Sequence, residues 1–385
     1  MQSRQQSTST TPERIVITGF GLQTPVGATF WHTALSLRAK RSCYQEHETV
    51  LVADTPSGAI LRGATISRVP NAQIPRNLAG SHRAAALLAP PIAECLTGFP
   101  LELQQRLNWE IITRHANSDE IILDSLSKRM PKTNFSAVTL CQPNAIRSDF
   151  FTRIACAAET LQANRSECVL VACTDSLCDS LKLNKLLYAG LLKDAANPYG
   201  IMAGEAAGAV LLERESTARR RGATILAGLA AWGGAIEPHP WPTGASSTAQ
   251  GLTAAFHQAF AQLDDKGVSV GQVITDENGE RPRSLEWALT AGRIFPNPEQ
   301  ERTLRHPAVI AGDAGGGLGA VLLADALAQL AWRRPPPGRI ALAVSDDHGE
   351  RRILCLEPVE QYERRIMFTD IRQRLGRQKK STEET

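Results

Sequence analysis

The stretch from Gly312 to Leu327 constrains the fold more than any other: Gly-Asp-Ala-Gly-Gly-Gly-Leu-Gly-Ala-Val-Leu-Leu-Ala-Asp-Ala-Leu. Five of its first eight residues are glycine, and an Ala/Leu-rich run of helical composition follows. Without a Cβ, such a turn brings backbone close to a ligand or to another part of the chain. The N–H groups at the start of the helix can face an anion or a carbonyl oxygen. The residues alone leave two readings open: a tight strand-to-helix turn that packs closely, or a corner that faces a ligand. The irregular glycine spacing and the position far along the chain argue against a dinucleotide fingerprint, and the missing lysine argues against a P-loop.

Bulk composition narrows the function classes. With 385 residues, 43% of them hydrophobic, the chain can bury one large core or two fused halves. A net charge of +3, spread along the chain, does not suit nucleic acid; the one long basic stretch is Arg364 to Lys380. The eight cysteines lack paired metal spacing, so no metal is expected, and no motif calls for a cofactor. Several lie in apolar runs, which suits buried free thiols and a cytoplasmic setting. Residues 1–12 are polar, with no signal peptide and no apolar run of membrane-spanning length, so no membrane partner is expected.

Taken in order, residues 1–12 read as a disordered Ser/Thr/Gln-rich tail. Arg14-Ile-Val-Ile-Thr-Gly-Phe-Gly-Leu-Gln-Thr-Pro-Val-Gly27 reads as a strand entering a glycine turn, with a helix carrying Trp31 behind it. Ser81 to Leu96 is an alanine-rich helix bearing His82, and Trp109 to Met130 is helical in composition. Asn134 to Leu140 is a strand, followed by a corner at Cys141 to Asn144 and a helix from about 146 to 162. Cys168 to Asp175 is apolar enough to lie centrally in a parallel sheet. The small residues Gly204, Ala206, Ala207 and Gly208 permit tight helix–sheet packing ahead of a buried strand. Ala308 to Ala311 reads as a strand leading to Asp313, and Gly338 to Leu356 as a final hairpin. Alternating strands and helices imply an α/β protein.

Three of these segments together resemble the β-ketoacyl-ACP synthase family of the thiolase superfamily. The opening resembles its Arg-Val-Val-Val-Thr-Gly-Leu-Gly start. Asn197 to Glu213, with Gly204-Glu-Ala-Ala-Gly208, resembles its Gly-Glu-Gly-Ala-Gly stretch, and Gly312 to Gly319 its Gly-His-Thr-Leu-Gly-Ala-Ala-Gly segment. The resemblance implies a thiolase-like fold: two similar βαβ halves, 13–215 and 222–358, stacked as a five-layer αβαβα sandwich, with a charged tail at 359–385. The family's chemistry uses a thiolate at a strand-to-helix corner and two histidines that promote decarboxylation and hold the enolate. Matching by segment puts Asn278 and Asp313 in the places of the two histidines. An amide does not titrate, and a carboxylate would repel malonate.

The nucleophile position stays open between three frames, which give Gln142, Cys141 or Ser148. Chain-length factors, the ketosynthase-like partners in type II polyketide systems, often carry glutamine there. Cys173, in Ala172-Cys-Thr-Asp-Ser176, mimics the elbow but precedes the wrong segment, and His239 and His306 read as structural. The family's phenylalanine gate is replaced by Ser345-Asp-Asp-His-Gly-Glu350.

The resemblance therefore implies a degenerate member with no catalytic residues of its own. Such a chain-length-factor-type subunit would form a heterodimer with an active ketosynthase, work with acyl carrier protein, and shape the acyl tunnel in fatty-acid, polyketide or polyene biosynthesis. Its dimer edge would be Phe135, Ala137, Val138, Thr139 and Leu140, and the segment from Trp109 to Thr133 is the candidate tunnel wall. Arg219 to Arg221 are basic enough to meet an acidic carrier, or simply form a solvated face. The alternatives are an active, Cys141-dependent condensing enzyme or malonyl decarboxylase, and a stand-alone acyl-binding protein.

Overall fold

Strand β1 (Ile15–Gln23) is buried at eight of its nine positions, as a strand covered on both faces must be. The computed structural model describes residues 13–113, 119–135, 138–141, 147–241, 247–263, 270–296, 302–332 and 335–358. Both tails, Ala137 and Gln142 lie outside these residues. After β1 come α1 (Phe30–Arg38), the hairpin β2 (Tyr44–Ala53) and β3 (Leu61–Ser67), α2 (Gly80–Cys95), the short α3 (Leu101–Gln104), β4 (Asn108–Thr113) and α4 (Asp119–Arg129). Then follow β5 (Val138–Cys141), α5 (Asp149–Gln162), β6 (Cys168–Ser176), α6 (Ser180–Tyr188), β7 (Ala203–Arg214) and α7 (Glu215–Arg220). The remainder is β8 (Ala227–Ile236), α8 (Gln250–Phe260), β9 (Val270–Thr275), α9 (Arg281–Ile294), β10 (Thr303–Arg305), α10 (Ala308–Ala311), α11 (Leu318–Ala331), β11 (Arg339–Ser345) and β12 (Glu350–Glu357).

The strand order shows the internal repeat. One half runs β5-β4-β6-β7-β1 and the other β10-β9-β11-β12-β8. In each, the first three strands are parallel and the last two join antiparallel. A short antiparallel pairing of Ile15–Ile17 with Ala227–Leu229 links the halves. Helices α5 and α11 lie between them and touch strands of both, while α2 covers one outer face and α8 the other. This is the five-layer stack of two similar halves. Helix α11 is buried at every position but Gln329, as its all-round Ala/Leu composition requires.

Several sequence expectations need correction. Trp109–Met130 is not one helix: β4 takes its first part, because Trp109 and Ile111 bury one face beside α2, and α4 follows. Strand β6 lies in a mixed sheet, parallel to β4 but antiparallel to β7. The small residues 204–208 belong to β7 itself, where a Cβ on Gly208 would come within 2.4 Å of the Ala320 Cβ on α11. Ala308–Ala311 is a single helical turn, not a strand.

Candidate functional site

The glycine-rich corner meets the start of β7. A Cβ on Gly204 would stand 2.9 Å from the Gly312 carbonyl carbon, so only glycine allows this approach. Gly312 itself has φ +84°, open to glycine and strained for other residues. Asp313 is pinned by two backbone bonds of 2.7 Å: its N–H donates to Met202 O, and its O accepts from Gly204 N–H. The free N–H groups expected at this corner do face anions, but these are the protein's own. Gly315 N donates to Asp313 Oδ1 at 2.9 Å, and Gly316 N to Asp175 Oδ2 at 3.1 Å.

Asp313 and Asn278, matched from separate segments, are brought together. The Asn278 Nδ2 donates to Asp313 Oδ2 at 2.6 Å and to Glu280 Oε2 at 2.8 Å. A residue the sequence did not flag completes the group. Arg147, directly before the Ser148 N-cap of α5, donates from Nη1 and Nη2 to Asp313 Oδ1 and Oδ2 at 2.9 and 2.7 Å. Its own N–H donates to Asp346 Oδ2 at 2.9 Å. Arg147, Asn278 and Asp313 are all buried, Asp313 completely. The pair therefore sits in a medium where a bidentate guanidinium–carboxylate contact is strong and an unpaired charge is costly.

The network continues through α9. Arg283 donates to Glu280 Oε2 at 2.9 Å, Asp276 Oδ2 at 3.0 Å and the Ser345 carbonyl at 2.6 Å, and also contacts Asp347. Burial alone would raise the Asp313 carboxyl, but Arg147, Arg283 and the Asn278 amide outweigh it and hold the group down at about 2. Burial pushes Asp276 up to about 6 despite Arg283. Burial also opposes the Arg147 charge, and Asp313 and Asp347 overcome it, so its guanidinium is held well above the ordinary arginine value. The repulsion expected between Asp313 and a malonyl carboxylate is thus replaced by something else. A guanidinium neutralises Asp313 and fills the space beside it.

Of the two nucleophile frames among the described residues, Ser148 adjoins this network and Cys141 does not; Gln142 lies outside them. Ser148 is buried and donates from Oγ to Glu350 Oε2 at 2.7 Å. Cys141 ends β5, and no hydrogen bond among the described residues joins it to Asp313 or Asn278. Burial raises its thiol above the ordinary value, against a partial pull from Arg153, which is the opposite of an activated nucleophile. The Cys173 thiol is buried in β6 and pushed up to about 12. His82 and His239 are exposed, and His306 shares a 2.9 Å hydrogen bond with Thr275 Oγ1. No hydrogen bond among the described residues joins a histidine to Asn278 or Asp313. The cavity touching Arg147 and Glu280 measures about 100 Å³ and is walled by Leu177, Leu186, Leu191 and Trp241. Phe135, expected at the dimer edge, is buried against Trp109 with ring centres 5.4 Å apart, whereas Thr139 of β5 is exposed.

No protein-family model matches this chain, and no curated protein does. Solved structures do match. One is a type II polyketide acyl-carrier protein in complex with its ketosynthase (AntDE:AntF), with TM-score 0.72, 13% identity, and coverage of 91% of this chain and 100% of that one. The ishigamide ketosynthase/chain length factor gives TM-score 0.70 and 15% identity, with the same coverage. The ketosynthase from module 6 of the bacillaene synthase of Bacillus subtilis 168 gives 0.71 and 12%, covering 90% of this chain and 72% of that one. At such identities the likeness carries the fold alone, and it agrees with the repeated strand order: this chain has the two-half fold of these ketosynthase structures.

Proposed function

We propose that this chain is a catalytically silent ketosynthase-like subunit of the chain-length-factor kind, which pairs with an active ketosynthase and limits its acyl tunnel. The observation that carries the reading is the buried Arg147–Asp313–Asn278 group. Condensation needs a thiolate to take the acyl chain and two imidazoles to steady the enolate. Here the two places matched to imidazoles hold a carboxylate and an amide that bond each other and a guanidinium. Both terminal nitrogens of Arg147 are engaged by Asp313, and its Nε lies 3.9 Å from Asp347. The guanidinium charge is therefore already matched by a buried carboxylate, which leaves it a poor anchor for a malonyl carboxylate.

Two further observations support this reading over its rivals. The Cys141 thiol is raised by burial, which disfavours a Cys141-dependent condensing enzyme or decarboxylase. The cavity beside the network, about 100 Å³, is well below the roughly 300–1,000 Å³ of small-molecule sites, which disfavours a stand-alone binder that holds an acyl chain at this place. Among the described residues strand β5 pairs only with β4, which leaves its other edge for a partner strand. The solved ketosynthase/chain length factor supports a paired arrangement by likeness. Polyketide, fatty-acid or polyene synthesis with acyl carrier protein is the setting we infer.

The test is co-expression with a candidate ketosynthase from the same source, followed by light scattering on the purified material. A 1:1 complex whose product length changes when this chain is withdrawn supports the reading. A stable monomer that leaves the ketosynthase's product unchanged contradicts it.

A further inference from the structure

A cavity of about 500 Å³ opens between the β2–β3 hairpin, the start of α2 and the start of α6, and it shares no lining residue with the small cavity beside Arg147. On its wall, Arg68 and Arg76 converge on a single carboxylate oxygen, Oε1 of Glu48, with Arg76 at 2.8 Å and Arg68 in contact. One carboxylate, 42% exposed, thus faces two guanidiniums. Arg68 is more than nine-tenths buried, and its Nε has no hydrogen-bond partner. A buried donor without an acceptor is costly, and Arg68 carries one.

Helix α2 starts on the same wall. Its N-cap, Ala79, offers no side-chain acceptor, so the first-turn N–H groups and the positive end of a sixteen-residue helix are turned toward this region uncapped. Arg83 and Lys182 also line the cavity, but each is held by a buried carboxylate, Glu205 and Asp175, and adds little net field; Asp179 lines the α6 side, where its Oδ1 accepts from Lys182 N at 2.9 Å and its Oδ2 lies 3.8 Å from Lys182 Nζ. Leu78, Ala84 and Leu87 supply an apolar side. The volume falls within the range of small-molecule sites and exceeds what an inorganic ion fills.

We propose that this cavity binds a small organic oxyanion, a phosphate monoester with a short apolar group. Its phosphate displaces Glu48 from Arg68 and Arg76 and faces the start of α2, while its apolar group lies on Leu78 and Leu87. The site stands apart from the silent-subunit reading, and either can fail alone.

Calorimetry and thermal-shift titration of the full chain with phenyl phosphate, inorganic phosphate and phenol test it. Phenyl phosphate gives saturable stabilisation, inorganic phosphate binds more weakly, and phenol gives none. Arg76→Gln, at an exposed position that spares the fold, weakens phenyl phosphate about tenfold, the loss of one charge-assisted contact. Asn77→Trp, at the exposed mouth, abolishes binding. Absence of saturable binding, or binding unchanged in both variants, overturns the proposal. Inorganic phosphate binding as tightly as phenyl phosphate overturns it too, by leaving an adventitious ion only.

Discussion

Asp313 and Arg147 form a closed pair in the core, and its value lies in both members being present. Removing one leaves the other charged and buried. Asp313→Ala is therefore expected to cost about 3–5 kcal/mol in urea unfolding, as other broken buried pairs do. Arg147→Leu should cost a similar amount, and the double substitution should cost clearly less than the sum. Additive costs would mean the two groups are not coupled. Asp276 and Asp313 respond to pH in opposite senses. Asp276 is raised by burial from 3.8 to about 6, so the folded state holds the extra proton, and stability falls as pH rises from about 4 to 6. Asp313 is depressed, so its contribution is present above the ordinary value and is lost as pH falls from about 4 to 2. Asp276→Asn should flatten the first slope, worth up to about 3 kcal/mol, and leave the second in place. An unchanged slope between pH 4 and 6 would show that another group carries it.

At the scale of elements, β5 is the edge of its half-sheet among the described residues, and Thr139 is its exposed residue. A lysine on an edge discourages strand pairing. Thr139→Lys should leave the subunit folded by circular dichroism and weaken its association with a partner ketosynthase at least about tenfold. Unchanged association would move the interface elsewhere. The elements also separate what the sequence makes legible from what it does not. The repeated βαβ plan, the glycine corner and α11 were legible because glycine runs and an all-apolar helix have few structural solutions. β4 was hidden by helix α4, whose Ile/Leu and charged residues carry a helical pattern and which begins six residues later. Asn278 and Asp313 were legible by segment matching, but Arg147 was not. It has no local motif, and only the approach of α5 to the Gly312 corner, 166 residues away, gives it a partner. The repulsion argument for Asp313 failed for the same reason.

For the whole molecule, two stacked halves share the fold of solved ketosynthases, and an ion-paired core occupies the two positions that the sequence resemblance matches to that family's histidines. Backbone bonds to Met202 and Gly204 anchor Asp313, and the buried helix α11 begins a few residues beyond it. The most direct test is malonyl-carrier decarboxylation and acyl condensation by the purified chain alone, and again by the chain joined to an active ketosynthase. The account expects no turnover above background from the isolated subunit, with Cys141→Ala and Ser148→Ala making no difference to the joined enzyme's rate. Turnover by the isolated chain that either substitution abolishes would contradict it.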